Sequence, residues 1–205
     1  MEYTEVVRKR RMVRNYQPDR PVPRSVLAEL LELAIRAPSA GFSQGWHFLV
    51  LDTAEDRSAF WNATGDTSAE PDSWLRGLLA APALILAMSD KSAYIDRYAE
   101  PDKGWADRDE SRWPVPYWDI DTGMASLLIL LGAVDRGLAG CFFGVPADRH
   151  DEVKQALGVP ERLSIIGVMS VGYPAPDRKS PSLKRGRRPL AEVVSYGRMQ
   201  PDSSQ

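Results

Sequence analysis

The segment RKRRMVRNY, residues 8–16, carries five positive charges within nine residues. Arginine suits phosphate because its planar guanidinium group donates two parallel, charge-assisted hydrogen bonds. A second basic run, residues 178–188, holds six basic residues and no acidic one. Either run alone is typical of solvated surface. Two such runs at opposite ends of a chain with a net charge of -2 favour one shared anion site, although spacing alone does not bring them together.

The composition argues against nucleic acid as that anion. The 26 Lys and Arg residues are balanced by 28 Asp and Glu residues, so the chain has no excess positive charge to neutralise many phosphates. The glycine-rich phosphate-binding motifs G-x-G-x-x-G and G-x-x-x-x-G-K-[ST] do not occur in the sequence. A bound phosphate is therefore expected to be held by arginines rather than by a glycine loop.

Residues for metal binding or acid–base chemistry are scarce. Cys141 is the one cysteine, which excludes an internal disulfide, and His47 and His150 are the two histidines, so we expect no metal site. We interpret His47 and Cys141 as structural, and no side chain is predicted to be catalytic. The charged N-terminus and the shortness of the apolar run 123–134, against about 20 residues for a membrane span, predict a cytoplasmic protein.

A turn rich in small residues, APSAGFSQGW (37–46), lies between a predicted helix and a predicted strand. Small residues let the main chain approach a flat ligand closely. The alternative is an ordinary connecting loop.

Hydrophobic periodicity predicts alternating helices and strands, and so a layered α/β structure in one domain, residues 1–205. The predicted helices are 2–15, 25–37, 54–64, 72–79, 121–137 and 147–157, and the predicted strands are 46–51, 81–89, 140–145 and 164–173. Ser25 and Asp121 are expected as N-caps, and Gly137 as a helix stop. The helix 121–137 is apolar nearly all round, which predicts a central position.

The segment 94–118 has no clear periodicity but is rich in aromatic residues: Tyr94, Tyr98, Trp105, Trp113, Tyr117 and Trp118. A loop of this length in a compact domain is usually functional or disordered, and the aromatic residues argue against disorder. We interpret it as a lid that stacks on planar substrates. The alternative is a long surface excursion.

Four segments, taken in order, resemble motifs of the nitroreductase family of FMN-dependent oxidoreductases. They are RRMVRNY (10–16), APSAGFSQGWHFLV (37–50), GLAGCFFGVP (137–146) and GYPAPDRKSPSLKRGRRPLAEVV (172–194). The resemblance covers most of the chain apart from 55–118. It implies an α+β fold with an α-β-α layering and a central mixed β-sheet, and an intertwined homodimer with FMN at the subunit interface. The tail 190–205 would embrace the partner subunit.

The resemblance also implies site residues. The phosphate and ribityl contacts fall on Arg10, Arg11 and Met12 and on the late pair Arg185 and Arg187. Arg14 would contact the pyrimidine edge of the flavin. The loop that the neighbouring subunit lays against the ring is Pro38, Ser39 and Ala40, and the main chain facing N5 and O4 is Phe143 and Gly144. The substrate pocket falls to Phe42, Tyr117 and Trp118.

Several residues depart from the family pattern. Met12 replaces a Ser or Thr and removes a hydroxyl donor, while Ala40 replaces a Ser. Phe42 replaces an Asn and Gly45 replaces a Pro, and we expect Phe42 to narrow the substrate side of the pocket.

The implied reaction takes hydride from NAD(P)H at flavin N5 and passes it to nitroaromatic, quinone or related conjugated acceptors in a ping-pong sequence. Three alternatives stay open: a flavin- or deazaflavin-binding carrier without turnover, a related flavin reaction such as reductive dehalogenation or fragmentation of the flavin, and nucleic-acid binding through the basic ends.

Overall fold

A computed structural model describes residues 1–65, 70–178 and 180–199. The helices along these ranges are α1 (Tyr3–Lys9), α2 (Arg24–Ala34), α3 (Ala54–Ala63), α4 (Ser73–Leu79), α5 (Lys91–Ala99), α6 (Tyr117–Asp135), α7 (His150–Leu157) and α8 (Leu190–Val193). The strands are β1 (Trp46–Leu51), β2 (Ala83–Asp90), β3 (Ala139–Phe143) and β4 (Leu163–Gly172). Short 3₁₀ turns occur at Ala40–Phe42, Glu110–Arg112, Ala147–Arg149 and Pro181–Arg185.

The four strands form one sheet in the order β1-β2-β4-β3. All three pairings are antiparallel, with Trp46 opposite Ser89 and Cys141 opposite Ser170 as examples of the register. An isolated bridge between Met12 and Gly140 adds a parallel contact beside β3. The α+β fold class is confirmed. The sheet was predicted to be mixed, but its four strands are antiparallel, and the one parallel pairing within the described ranges is this bridge.

Helices cover both faces of the sheet. Side chains alternate between the faces of a strand, so Leu84 and Leu86 of β2 join one apolar cluster while Ile85 joins the other. The first cluster includes Phe60 of α3, Leu78 of α4 and Val153 of α7.

The second cluster includes Leu30 of α2 and Ile129 of α6. Together the two clusters give the α-β-α layering expected from the resemblance.

The N-terminal helix was predicted to span 2–15, but α1 ends at Lys9. Beyond it the chain is extended: the Val13 amide donates to the Gly140 carbonyl at 3.1 Å, and the Gln17 amide donates to the Tyr173 carbonyl at 3.0 Å. Main-chain bonds to β3 and to the end of β4 thus take the place of the helical hydrogen bonds that were predicted for this segment.

Two predicted N-caps are wrong. Helix α2 is preceded by Pro23, whose φ of -58° already suits a helix, and Ser25 lies inside it. Helix α6 begins at Tyr117, so Asp121 lies within its first turns and is buried instead of capping. The predicted stop at Gly137 is confirmed, since this residue follows α6 with a φ of +71°.

Helix α6 is 19 residues long and, by length and composition alone, apolar enough to cross a membrane. It contacts α2 and the sheet through a buried face that includes Ala125, Ile129 and Ala133. A second face, with Ile120, Met124 and Leu127, is exposed in the single chain. The predicted central helix is therefore central on one side only.

Candidate functional site

The segment 12–17 is joined to the start of the C-terminal loop. The Arg14 amide donates to Asp177 Oδ2 at 3.0 Å, and Asn15 Nδ2 donates to the Pro176 carbonyl at 2.7 Å. The Ala175 amide donates to the Asn15 carbonyl at 3.0 Å. The N-terminal arginine cluster therefore lies beside the beginning of the loop that carries the second cluster.

A cleft of about 780 Å³ opens at this junction. Its lining includes Arg14, Trp74, Arg76, Asp177, Arg178 and Pro181. Three arginines and one aspartate are among the lining residues, and the aspartate already accepts from the Arg14 amide. The cleft is therefore suited to an anionic or electron-rich ligand.

Arg76 and Trp74 of α4 were missed by the sequence analysis, and Arg178 was noted only as part of the basic run 178–188. Arg76 is a single basic residue in a short apolar helix, so no charge cluster marks it. The usable signal was its neighbour Gly77, because a glycine inside a helical pattern often marks a close main-chain approach. A Cβ at Gly77 would lie 1.8 Å from the Arg14 carbonyl oxygen.

Arg10 provides a direct test of whether a phosphate fits. Its Nη1 atom is buried and has no hydrogen-bond partner among the described residues. Leaving a charged donor buried and unpaired is costly, so such an atom calls for a partner. A phosphate oxygen is the kind of acceptor that a guanidinium group binds best. The residues present fit a phosphorylated ligand at this point.

The late arginines, Arg185 and Arg187, are exposed in the single chain. Arg185 ends a 3₁₀ turn, Gly186 follows with a φ of +69°, and Arg187 is exposed. Every residue of the stretch 181–199 is exposed. The convergence of Arg185 and Arg187 with Arg10 and Arg11 on one phosphate stays a prediction.

Met12 contributes packing where the family pattern has a hydroxyl. Its Sδ atom accepts from the Phe142 amide at 3.4 Å, and the residue bridges to Gly140. Its side chain also packs against both apolar clusters. Met12 thus fastens the arginine segment to β3.

The end of β3 is held by aromatic stacking. The ring of Phe143 stacks on that of Trp61, with centroids 5.7 Å apart and an interplanar angle of 5°. A Cβ at Gly144 would meet nothing within 4 Å among the described residues, so the main chain is open on that side. This geometry suits the predicted main-chain contact of Phe143 and Gly144 with a flat ring.

The turn that follows Pro38 and Ser39 has unusual main-chain geometry. Gly41, Phe42 and Gln44 have φ values of 61°, 58° and 51°. A bulky residue such as Phe42 rarely adopts a positive φ, and holding it there costs about 1–3 kcal/mol. The Phe42 side chain is nevertheless 73% exposed. A strained residue that buries nothing in its own chain is a mark of a functional position.

The predicted lid is folded. Its first part is α5, and the ring of Trp113 lies 4.6 Å from that of Tyr98 and 5.9 Å from those of Tyr117 and Trp118. These rings meet edge to face, which is a favourable arrangement. The 3₁₀ turn Ala40–Phe42 contacts both α5 and α6. Phe42, Tyr117 and Trp118 therefore belong to one region, and their role toward a substrate stays a prediction.

The two residues interpreted as structural have different surroundings. Cys141 is buried in the sheet, as predicted, and burial raises the pKa of its thiol. His47 is exposed, with Nε2 4.0 Å from Asp90 Oδ2. That carboxylate is held by Arg162 Nε at 3.0 Å and by the Ser92 hydroxyl.

Known proteins resemble this chain over most of its length. Residues 7–173 match the model of the Nitroreductase family. A 4-nitrobenzoate reductase from Nocardioides sp. (strain LMS-CY) is 31% identical over 223 residues, covering 95% of this chain and 89% of its own.

Solved structures give the same result. A nitroreductase family protein from Clostridium difficile 630 superposes with a TM-score of 0.70 at 26% identity, covering 97% of this chain and 100% of its own. A protein of Exiguobacterium sibiricum 255-15 in complex with FMN superposes with a TM-score of 0.73, covering 96% of this chain and 97% of its own, and at 21% identity this likeness shows the fold alone. The chain belongs to the nitroreductase family.

Proposed function

We propose that this chain is an FMN-dependent oxidoreductase of the cytoplasm that takes hydride from NAD(P)H and reduces nitroaromatic, quinone or related conjugated acceptors. Membership of the family makes it an oxidoreductase, and the residues of the cleft support the finer statement. The observation that carries the proposal is the buried, unpaired Nη1 of Arg10 beside a segment whose Arg14 lines the cleft. FMN brings a phosphate monoester for such donors and a flat ring for the cleft.

When bound, FMN would supply the redox chemistry of hydride transfer between the donor and the acceptor. The chain's own residues bind and orient. Arg10, Arg11 and Met12 would hold the phosphate and the ribityl chain. Arg14, with Arg76 beside it, would favour negative charge at the pyrimidine edge by charge attraction. No side-chain acid or base is needed for this division of roles.

Acceptor selection would fall to the aromatic region near the 3₁₀ turn Ala40–Phe42. Phe42, Tyr117 and Trp118 offer apolar faces to a conjugated ring, and aromatic rings gain by stacking on one another. Nitroaromatic compounds and quinones are planar and electron-poor, so they fit such a wall. A relative of the chain is a 4-nitrobenzoate reductase, which agrees with acceptors of this kind.

The active form proposed here is a homodimer. The exposed stripe of α6, which comprises Ile120, Met124 and Leu127, has helical spacing. The exposed stretch 181–199 carries six large apolar side chains: Leu183, Leu190, Val193, Val194, Tyr196 and Met199. Contiguous apolar surface of this kind usually marks an interface.

In this dimer Pro38, Ser39 and Ala40 of one subunit would lie against the flavin of the other. The tail 190–205 would embrace the partner, and its residues 200–205 lie outside the described residues. Each subunit would be one flavin-binding domain, residues 1–205, in which 94–118 borders the active site.

The proposal is tested with the purified protein. We expect a yellow solution that releases FMN on denaturation, that bleaches with NADH or NADPH without oxygen, and that regains its colour with a nitroaromatic or a quinone. Protein that neither contains FMN nor binds it on reconstitution would contradict the cofactor. Bound flavin that no nicotinamide reduces would favour the carrier alternative, and mass spectrometry of the released chromophore distinguishes FMN from a deazaflavin.

A further inference from the structure

We propose that α5 fixes the conformation of the Ala40–Gln44 turn. Three residues of α5 (Tyr94, Arg97 and Tyr98), together with Asp121 of α6, hold Phe42 in its left-handed conformation. The fixed Phe42 ring then forms an aromatic wall on which planar acceptors stack. The second half of this statement rests on the proposed function, since it assumes that the turn borders the acceptor site. The first half concerns the fold alone and is tested separately. All four supporting residues are thereby positioning residues, which act through the turn.

Two tyrosines press against two glycines. Tyr94 and Tyr98 are one turn apart on α5 and therefore share a face of the helix. A Cβ at Gly41 would lie 2.5 Å from the Tyr98 ring, and a Cβ at Gly45 would lie 2.6 Å from the Tyr94 ring. Both distances are shorter than side chains tolerate, so the rings occupy the space that side chains at these glycines would need. The Asp90 carbonyl oxygen would also lie 2.7 Å from a Cβ at Gly45, so the Pro of the family pattern has no room here.

A buried carboxylate fixes the start of the turn. Asp121 Oδ2 accepts from the Ala40 amide at 2.8 Å and from the Tyr94 hydroxyl at 2.8 Å. The residue is only 2% exposed. Burial, and then the hydrogen bond to Asp121, raises the pKa of Tyr94, so its hydroxyl remains a donor at neutral pH. Asp121 was expected to cap a helix, but its carboxylate instead accepts a hydrogen bond from the main chain of the turn.

A guanidinium group fixes the middle of the turn. Arg97 Nε donates to the Gly41 carbonyl at 3.0 Å. The same guanidinium is oriented by two hydrogen bonds to Asp102, both at 2.7 Å, and by one to Glu100 at 3.0 Å. The main chain before Phe42 is therefore held at an amide by Asp121 and at a carbonyl by Arg97.

These contacts account for the strain at Phe42. A residue in the left-handed region persists only where its surroundings over-determine it. When the support is weakened, the turn should relax and the exposed ring should leave its place. A planar acceptor that stacks on this ring would lose its wall, whereas uptake of hydride from the nicotinamide donor would be little changed.

The fold half of the proposal is tested by hydrogen exchange in the purified protein, residues 1–205, with its bound cofactor. Arg97→Met keeps a long side chain but loses the bond to Gly41, and Tyr98→Ala removes the ring. The control is Arg108→Met, which loses an exposed ion pair between Arg108 and Asp96 of α5. We expect amides of the peptide 38–46 to exchange roughly tenfold faster in the first two variants and unchanged in the control. Equal exchange in all three variants would overturn the proposal, whether or not the protein turns over.

The acceptor half is tested by separating the two half-reactions in a stopped-flow instrument. For Arg97→Met we expect reoxidation by a nitroaromatic to slow roughly tenfold, while reduction by NAD(P)H and cofactor content stay within about twofold of wild type. Arg97→Lys keeps a donor and should restore part of the loss. Faster exchange at 38–46 with wild-type reoxidation would overturn the role of Phe42, and equal slowing of both half-reactions would do the same.

Discussion

Gly77 of α4 lies against the main chain of Arg14, so closely that a Cβ at position 77 would come within 1.8 Å of the Arg14 carbonyl oxygen. This contact docks α4 onto the N-terminal arginine segment. It also places Arg14 and Arg76 in the lining of the same cleft. The binding surface therefore depends on a position that carries no functional group.

Gly77→Ala should destabilise the protein. Alanine favours a helix by about 1 kcal/mol over glycine, but overpacking against an immobile main chain costs about 1–3 kcal/mol or more. We expect a net loss of stability in urea denaturation together with loss of FMN. Gly123→Ala in α6 is the control, because a Cβ there would meet nothing within 4 Å among the described residues, and it should not destabilise the protein. A Gly77→Ala variant more stable than wild type would contradict the close contact.

Arg14→Met and Arg76→Met should each weaken FMN binding. A hydrogen bond to a charged group contributes about 1.5–3 kcal/mol, so the dissociation constant should rise roughly tenfold to a hundredfold. Titration of apoprotein with FMN, followed by the quenching of flavin fluorescence, measures the effect. Arg8→Met is the control, because Arg8 is exposed in the last turn of α1. Wild-type affinity in both cleft variants would show that the cleft does not hold the flavin.

Leu127→Glu should yield monomers. Leu127 is 47% exposed on the apolar stripe of α6, and a charge placed there would be buried unpaired in the proposed interface. Sedimentation velocity should give about twice the mass of 22.8 kDa for wild type and the single mass for the variant. Gln155→Glu adds the same charge to the exposed side of α7 and should leave the dimer intact. A wild-type monomer with full FMN occupancy would refute the dimer.

Asp90→Asn should make the free energy of unfolding depend less on pH in the acid range. Burial alone would raise the pKa of Asp90, but hydrogen bonds from Ser92 and Arg162 outweigh burial and lower it. The folded state thus favours the carboxylate, and the stabilisation, present above the unfolded pKa of about 3.9, is lost as the pH falls through the lower folded value. Urea denaturation between about pH 3 and pH 7 measures this. Identical slopes below pH 4 in both proteins would contradict it.

The elements with local signals were predictable from sequence. The strands β1, β2 and β4 and the helices α3 and α4 lie within two residues of their predicted bounds. The strands are short apolar runs, and the helices begin after Thr53 and Asp72, whose side chains accept hydrogen bonds from main-chain amides of the first turn. The segment 10–15 was wrongly taken as helix. Its main-chain bonds go to β3 and the end of β4, and a local pattern holds no information on partners so distant in the chain.

The candidate site was predictable where charge is concentrated and hidden where it is not. Arg10 and Arg14 stand out in a basic run, whereas Arg76 stands alone. Asp121 resembled an ordinary cap because an aspartate before an apolar run usually is one. Its two donors, the Ala40 amide and the Tyr94 hydroxyl, come from other elements, so its role could be found only after folding had brought them together.

The contact of Tyr94 with Gly45 has a consequence for the history of the sequence. Because the ring fills the space of a side chain at position 45, neither residue can be exchanged alone without a collision or a hole. A homologue with proline at 45 would need a residue smaller than tyrosine at 94 and also a shifted main chain at Asp90, whose carbonyl oxygen lies 2.7 Å from the added Cβ. Without Tyr94, Asp121 would lose its hydroxyl donor. Positions 45, 94 and 121 should therefore change as a group among the relatives of this chain, and a homologue that altered one of them by itself would have to shape its turn by other means.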